Sequence, residues 1–200
     1  MAFDVRLRKR LGDTRVDFTL DAGDGATVLF APSGAGKTSV LNMIAGLLLP
    51  DEGHVRVGGR TLYDRATRVN VPPERRSVGY VFQDARLFPH MRVRDNLRYG
   101  VRGAPPDFGS IAFLGIAHLL DRWPKTLSGG EARRVSIGRA LLSAPEFLLL
   151  DEPLSSLDRA RREEILTAIE HVRDVLRLPI LMVTHDCGEA ERIGTRIVAM

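Results

Sequence analysis

Residues 31–38 read Ala31-Pro32-Ser33-Gly34-Ala35-Gly36-Lys37-Thr38, between an apolar run at 26–30 and a helical pattern at 39–47. A strand, a glycine-rich turn and a helix N-terminus in that order aim successive backbone N–H groups at one spot, where the helix dipole adds positive potential. The stretch, with Ser39 after it, therefore reads as a phosphate-binding loop. Lys37 can reach the outer phosphates of a nucleotide, and the Thr38 hydroxyl can ligate the magnesium ion that accompanies them. Lysine is otherwise scarce: Lys9, Lys37 and Lys125 are the only ones among 29 basic residues. A lysine kept in an arginine-rich chain suggests that a compact point charge is wanted. The usual loop begins with glycine, and here Ala31 stands in that place. Alanine is strained there if its φ is positive and harmless if it is negative.

A chain of 200 residues fits one domain, or a core with a modest inserted lobe. The formal charge of +4 comes from arginines scattered along the whole length, with no block of like charge, so nucleic acid is not an expected partner. Cys187 is the sole cysteine, which excludes an internal disulfide and suits a reducing compartment. No apolar run approaches the roughly 18 residues of a membrane span, and the N-terminus lacks a signal-peptide pattern. The expectation is a protein without its own membrane segment, free to dock onto a membrane partner.

Short alternating segments at 4–7 and 16–20 suggest an N-terminal antiparallel β portion. Strand-like pieces follow at 54–57 and 77–82, separated by the turn signal Val57-Gly58-Gly59-Arg60. From about residue 84 to 126 the character changes: 93–99 and 111–120 read as short helices interrupted by Gly103, Pro105, Pro106 and Gly109. This reads as a small helical lobe inserted into the core. A helix at 130–143, a strand at 147–150, a long amphipathic helix at 158–176, a strand at 179–184 and a strand-like end at 196–200 then complete the pattern. Strands alternating with helices predict an α/β fold with a mainly parallel sheet covered on both faces.

The run Phe147-Leu148-Leu149-Leu150 ends in Asp151-Glu152. A buried strand would deliver both carboxylates to the sheet edge where open α/β folds bind ligands. Asp151 is suited to holding magnesium, directly or through water, and Glu152 to polarising an attacking water as general base. Further on, His185, Asp186 and Cys187 are adjacent, but neighbouring residues rarely point their side chains at one metal.

Leu127-Ser128-Gly129-Gly130-Glu131, followed by Arg134, Arg139, Ala140 and Leu141 and then by the carboxylate strand, resembles the signature segment of ATP-binding cassette (ABC) ATPases. The resemblance implies a P-loop nucleoside triphosphatase core and a second phosphate clamp, made by Ser128, Gly129 and Gly130, that closes over the nucleotide of an opposite subunit. It also implies that Gln83 senses magnesium and the attacking water, that Ser155-Ser156-Leu157-Asp158 communicates across a homodimer, and that His185 contacts the γ-phosphate. Over nearly the whole chain it is similar to ATPase subunits of molybdate importers, whose pattern is resembled by Val78-Gly79-Tyr80-Val81-Phe82-Gln83 continuing through Asn96 to Tyr99 and Gly100, and by Leu114-Gly115-Ile116 leading to Leu119-Leu120-Asp121-Arg122. The implied cofactors are ATP and Mg2+. The implied partners are the transmembrane permease subunits and, through them, a solute-binding protein, at the cytoplasmic face of the inner membrane. Leu87, Phe88 and Met91 could face the permease or pack the lobe's own core.

Two departures accompany the resemblance. The family usually stacks adenine on an aromatic residue upstream of the loop, whereas 6–16 offers none and Phe3 is uncertain in register. The oxyanion-binding regulatory domain common in molybdate-importer subunits is not encoded here, so residues 1–200 read as a single nucleotide-binding domain. Two other readings stay open: a non-hydrolysing or truncated nucleotide-binding module, favoured by Ala31, and a soluble ABC-type switch protein.

Overall fold

In the computed structural model, which describes residues 2–32, 34–101, 103 and 105–200, the chain opens with a hairpin of β1 (Phe3–Leu11) and β2 (Thr14–Ala22). The strands pair antiparallel from Phe3 opposite Ala22 to Leu11 opposite Thr14. Val5, Leu7, Val16, Phe18 and Leu20 are buried while Arg6, Arg8, Asp17 and Thr19 face outward, so period-two alternation makes one wet face and one core face. The chain then leaves this sheet as β3 (Ala26–Phe30) and, after the glycine-rich loop, forms α1 (Lys37–Ala45). It returns as β4 (Glu52–Val57), β5 (Arg60–Asp64) and β6 (Val69–Asn70), giving a first sheet of order β2-β1-β4-β5-β6. The glycine pair at 58–59 therefore closes a β4–β5 hairpin. The sequence pattern had set that turn between 54–57 and 77–82, which lie in different sheets.

The second sheet gathers β3, then β7 (Val78–Val81), β8 (Phe147–Asp151), β9 (Ile180–Thr184) and β10 (Arg196–Ala199), in the order β10-β3-β9-β8-β7 with every pair parallel. Between β7 and β8 lie α2 (Val93–Arg98) and α3 (Gly129–Leu142), and α4 (Arg159–Asp174) and α5 (Cys187–Ile193) flank β9. Phe147, Leu149, Leu181 and Val183 join a core shared with α1 and the antiparallel sheet. Leu148, Leu150, Ile180 and Met182 join another shared with α2 to α5. Coverage on both faces explains why β8 and β9 are continuous apolar runs.

Residues 111–120 do not form the single helix expected. Instead, 3-10 turns run Phe108–Leu114 and Ala117–Leu119, and Gly115 at φ 61 breaks the chain between them. Phe3 is fully buried edge-on against Phe147, with ring centroids 5.8 Å apart, so it belongs to the core and is not available to a ligand base.

The far end of α1 is closed by Arg76, whose side chain is buried. Its guanidinium donates to the carbonyls of Met43 at 3.1 Å, Ile44 at 2.7 Å and Val71 at 2.8 Å, and to Asn70 Oδ1 at 3.1 Å. A cation on the last carbonyls of a helix satisfies orphan acceptors and suits the dipole. Burial without a carboxylate partner pulls its pKa down to about 10. Gly46, at φ 83, is required beside it, because a Cβ there would lie 2.6 Å from Arg76 Nε.

Two outcomes follow for stability. Arg76→Met keeps the volume but strands buried carbonyls, and should cost about 1–3 kcal/mol, seen as a lower urea midpoint at unchanged slope. Ala31 is buried and is not among the residues with positive φ, so alanine is unstrained there. Ala31→Gly should then lower stability by about 0.5–1 kcal/mol through chain entropy, and a higher melting temperature for that variant would contradict this.

Candidate functional site

Parallel register brings four chain segments to one rim. Phe30 pairs with Thr184, Asp151 with Val183 and Val81 with Leu150, so β3, β9, β8 and β7 all end at the same edge. That edge carries the loop 31–38, His185, Glu152 and Gln83. Ligands of open parallel sheets bind at such carboxyl ends.

Within the loop, Gly34 and Gly36 lie at φ 85 and 88, and a Cβ on Gly36 would approach Val16 Cγ2 to 2.9 Å. Only glycine fits where β2 packs so closely on the turn. Lys37 is 5% exposed and donates from Nζ to the carbonyls of Ala31 at 2.6 Å and Pro32 at 2.9 Å. The same ammonium lies 3.7 Å from Glu152 Oε1. Together with Gly34, Gly36, Thr38, Gln83 and Glu152 it lines a cleft of about 370 Å³. A buried ammonium and the first N–H groups of α1 make this cleft attractive to an anion such as a phosphate. Ser33, expected in the same loop, lies outside the described residues; Ser39 lines the cleft, and Ala35 N donates to Pro32 O at 3.4 Å within the turn.

Thr38 Oγ1 donates to Asp151 Oδ1 at 3.1 Å, tying the helix start to the end of β8. Asp151 is buried, and burial raises its pKa while the Thr38 hydrogen bond opposes the rise. Among the described residues no group of three or more His, Cys, Asp or Glu could hold a metal alone. A hydroxyl and one carboxylate beside an anion cleft fit a small hard cation that takes its remaining oxygens from phosphate and water, as Mg2+ does.

Glu152 is the focus of the rim. Gln83 Nε2 lies 3.5 Å from its Oε2, and His185 Nδ1 lies 3.3 Å from its Oε1. Its own backbone sits at φ 44 and its N–H donates to Val183 O at 3.0 Å. A glutamate in the left-handed region stores strain of about 1–3 kcal/mol, which persists only where the surroundings over-determine it.

Ser128, Gly129 and Gly130 do not line the loop cleft. Ser128 caps α3: its Oγ accepts from Glu131 N at 3.3 Å while its own N–H donates to Glu131 Oε2 at 2.7 Å. That backbone donor holds the Glu131 carboxyl below its ordinary range. Gly129 instead shares a second cleft of about 240 Å³ with Gln83, Arg133, Ser155 and Ser156. Asp158 caps α4 through a 3.0 Å bond from Arg161 N.

Several residues here went unnoticed in the sequence. Arg133, buried in α3, donates to the carbonyls of Phe82 and Gln83. Behind His185, Thr184 Oγ1 donates to Glu189 Oε2 at 2.6 Å, and Arg162 bridges Asp186 at 3.3 Å and Glu189 at 3.7 Å. Burial raises the Glu189 pKa. No local spacing announces such contacts, since each joins residues of different elements. Asp186 caps α5 and Cys187 is exposed, while His185 turns to Glu152, so these neighbours do not share a metal.

Known proteins share this fold and much of this sequence. The sequence profile described as ABC transporter matches residues 14–155. The molybdenum import ATP-binding protein ModC of Brucella abortus (strain 2308) is 53% identical over 98% of this chain and 56% of its own length. The protein of that name from Rhizobium meliloti (strain 1021) is 51% identical over 100% of this chain and 58% of its own. The chain thus spans about half the length of the curated relatives it matches. A solved structure of the ATP-binding cassette MJ0796, described as a dimeric post-hydrolysis state bound to ADP and Pi, superposes with a TM-score of 0.78 at 25% identity, over 99% of this chain and 94% of that one. The motifs, the two-sheet architecture and these matches agree: the chain belongs to the ABC transporter family.

Proposed function

We propose that the chain is the nucleotide-binding, ATP-hydrolysing subunit of a molybdate importer. The observation that carries this reading is the meeting of Lys37, Gln83 and His185, from three strand ends, on the Glu152 carboxylate beside a phosphate-sized cleft. The similarity to molybdenum import ATP-binding proteins supplies the solute, which no residue here reads directly.

In this mechanism Lys37 and the backbone amides of 34–38 hold the phosphates of ATP. Thr38, Asp151 and Gln83 would hold Mg2+, whose charge would offset that of the phosphate oxygens. Glu152 takes the proton of the attacking water, which Gln83 helps to orient. His185 steadies the carboxylate and donates to the γ-phosphate. Ser128, Gly129, Gly130 and Asp158 serve the nucleotide of a second copy, consistent with none of them lining the loop cleft of their own chain. ATP binding favours the closed homodimer and hydrolysis releases it, because a ligand shifts an equilibrium only by binding one state better.

Permease subunits would dock where Phe88 meets Tyr99 in a tilted ring contact at 4.3 Å, with Tyr99 63% and Trp123 38% exposed. Leu87 and Met91 are half-buried, and Leu87 packs on the core. No helix of the described residues is long and apolar enough to cross a membrane, so the reading is peripheral attachment at the cytoplasmic face of the inner membrane through the permease and, beyond it, a solute-binding protein. The non-hydrolysing alternative drew on Ala31, and the unstrained backbone there removes that support.

Glu152→Gln should keep ATP binding, lower turnover by about 100-fold or more, and trap an ATP-dependent dimer on size exclusion. Wild-type turnover in that variant would take the general-base role away from Glu152. Shared sites are tested by mixing. Ser128→Arg blocks the clamp and Lys37→Ala empties the loop of its cation, so each should be inactive alone. A mixture forms heterodimers with one doubly defective and one intact site, and should regain ATPase activity, unless the two sites depend strictly on each other. Activity that never exceeds the separate values, with heterodimers confirmed, excludes independent shared sites.

A further inference from the structure

The segment 82–86, between β7 and α2, is pinned to α3 by two guanidinium groups. Arg133 donates from Nη1 to Phe82 O and from Nη2 to Gln83 O. Six residues further along the helix, Arg139 donates to Arg86 O at 2.9 Å and Ala85 O at 3.2 Å. Four of the five carbonyls of this segment therefore end on α3 side chains. Arg133 is 5% exposed, too buried to serve as a solvated surface charge. Burial pulls its pKa down, while Asp84 and Asp151 nearby favour the charged form.

The position of Arg133 gives this fork a consequence. It lies five residues after Ser128, a rise of about 7.5 Å along the helix. It also lines the cleft shared by Gly129 and Gln83. A planar fork spanning two successive carbonyls fixes both the direction and the register of the backbone that carries Gln83. The Gln83 side chain then meets Glu152 at 3.5 Å.

We propose that Arg133 is a positioning residue that locks Gln83 to the helix bearing Ser128. This rests on the ATPase reading above. Contacts made by Ser128 to one nucleotide and by Gln83 to the other are then made by one rigid body, so that seating of the first sets the geometry of the second.

The test combines kinetics with a measurement that needs no catalysis. Arg133→Met, with its fold checked by thermal melting, should bind a fluorescent ATP analogue within about twofold of wild type but lose about tenfold or more in kcat. Added to Gln83→Ala, it should cause no further loss, because both act through one group, whereas a merely structural role gives multiplying losses. Arg133→Lys, whose single ammonium reaches one carbonyl well, should recover part of kcat, and it serves as the probe if the methionine variant does not fold. Amide hydrogen exchange of a peptide covering 82–86 should be faster in the variants than in wild type. Unchanged exchange in a folded variant overturns the proposal, as do multiplying losses in the double variant. If the wild-type protein hydrolyses no ATP, the ATPase reading fails while the exchange measurement still decides whether Arg133 holds the segment.

Discussion

A strained glutamate at the end of β8 sets the terms for the rest of this site. Glu152 holds φ 44 beside Asp151, whose pKa is raised by burial and further by the like charge of Glu152. Neither the strain nor the repulsion would persist in an isolated turn. They are offset by Lys37, His185 and Gln83, which approach the carboxylate from three directions, and by the β-ladder bond from Glu152 N to Val183 O. Each of those groups stands at the end of a different strand or loop, so the parallel sheet must be complete before the glutamate can be held.

The two sheets divide the labour. The parallel sheet, whose β8 and β9 are buried on both faces, aligns the rim that carries Lys37, Gln83, Glu152 and His185. The antiparallel sheet backs α1, and Val16 of β2 reaches the glycine turn itself. Loop, helix and hairpin therefore form one packed unit, closed at its far end by Arg76 on the last carbonyls of α1.

Arginine has an internal role in this protein besides its surface one. Arg76, Arg133 and Arg139 all end on backbone carbonyls, not on carboxylates. The fork of donors suits this, since one guanidinium satisfies several acceptors that irregular chain would otherwise leave orphaned. The lysine at the cleft is different in kind: a single compact charge held between the carbonyls of Ala31 and Pro32 and the Glu152 carboxylate.

By itself the sequence determined the elements with strong local signals. The run 147–150, the glycine loop ahead of Lys37 and the helix after Ser128 follow from periodicity, turn chemistry and capping, which act over a few residues. It also named the rim residues: the glycine loop and Asp151-Glu152 from their local pattern, Gln83 and His185 through the family resemblance. Only the tertiary structure decided that the Gly58–Gly59 turn closes β4 onto β5, and that residues 108–119 form broken 3-10 turns. It alone showed that Phe3 is core and Ala31 unstrained. The Arg133 fork, the Arg76 cap and the Thr184–Glu189 pair were likewise invisible beforehand. An arginine on a helix has the same local pattern whether it faces water or a buried carbonyl 50 residues away in the chain. What distinguishes the two is which unpaired backbone acceptors packing brings beside it, and that is a property of the assembled fold.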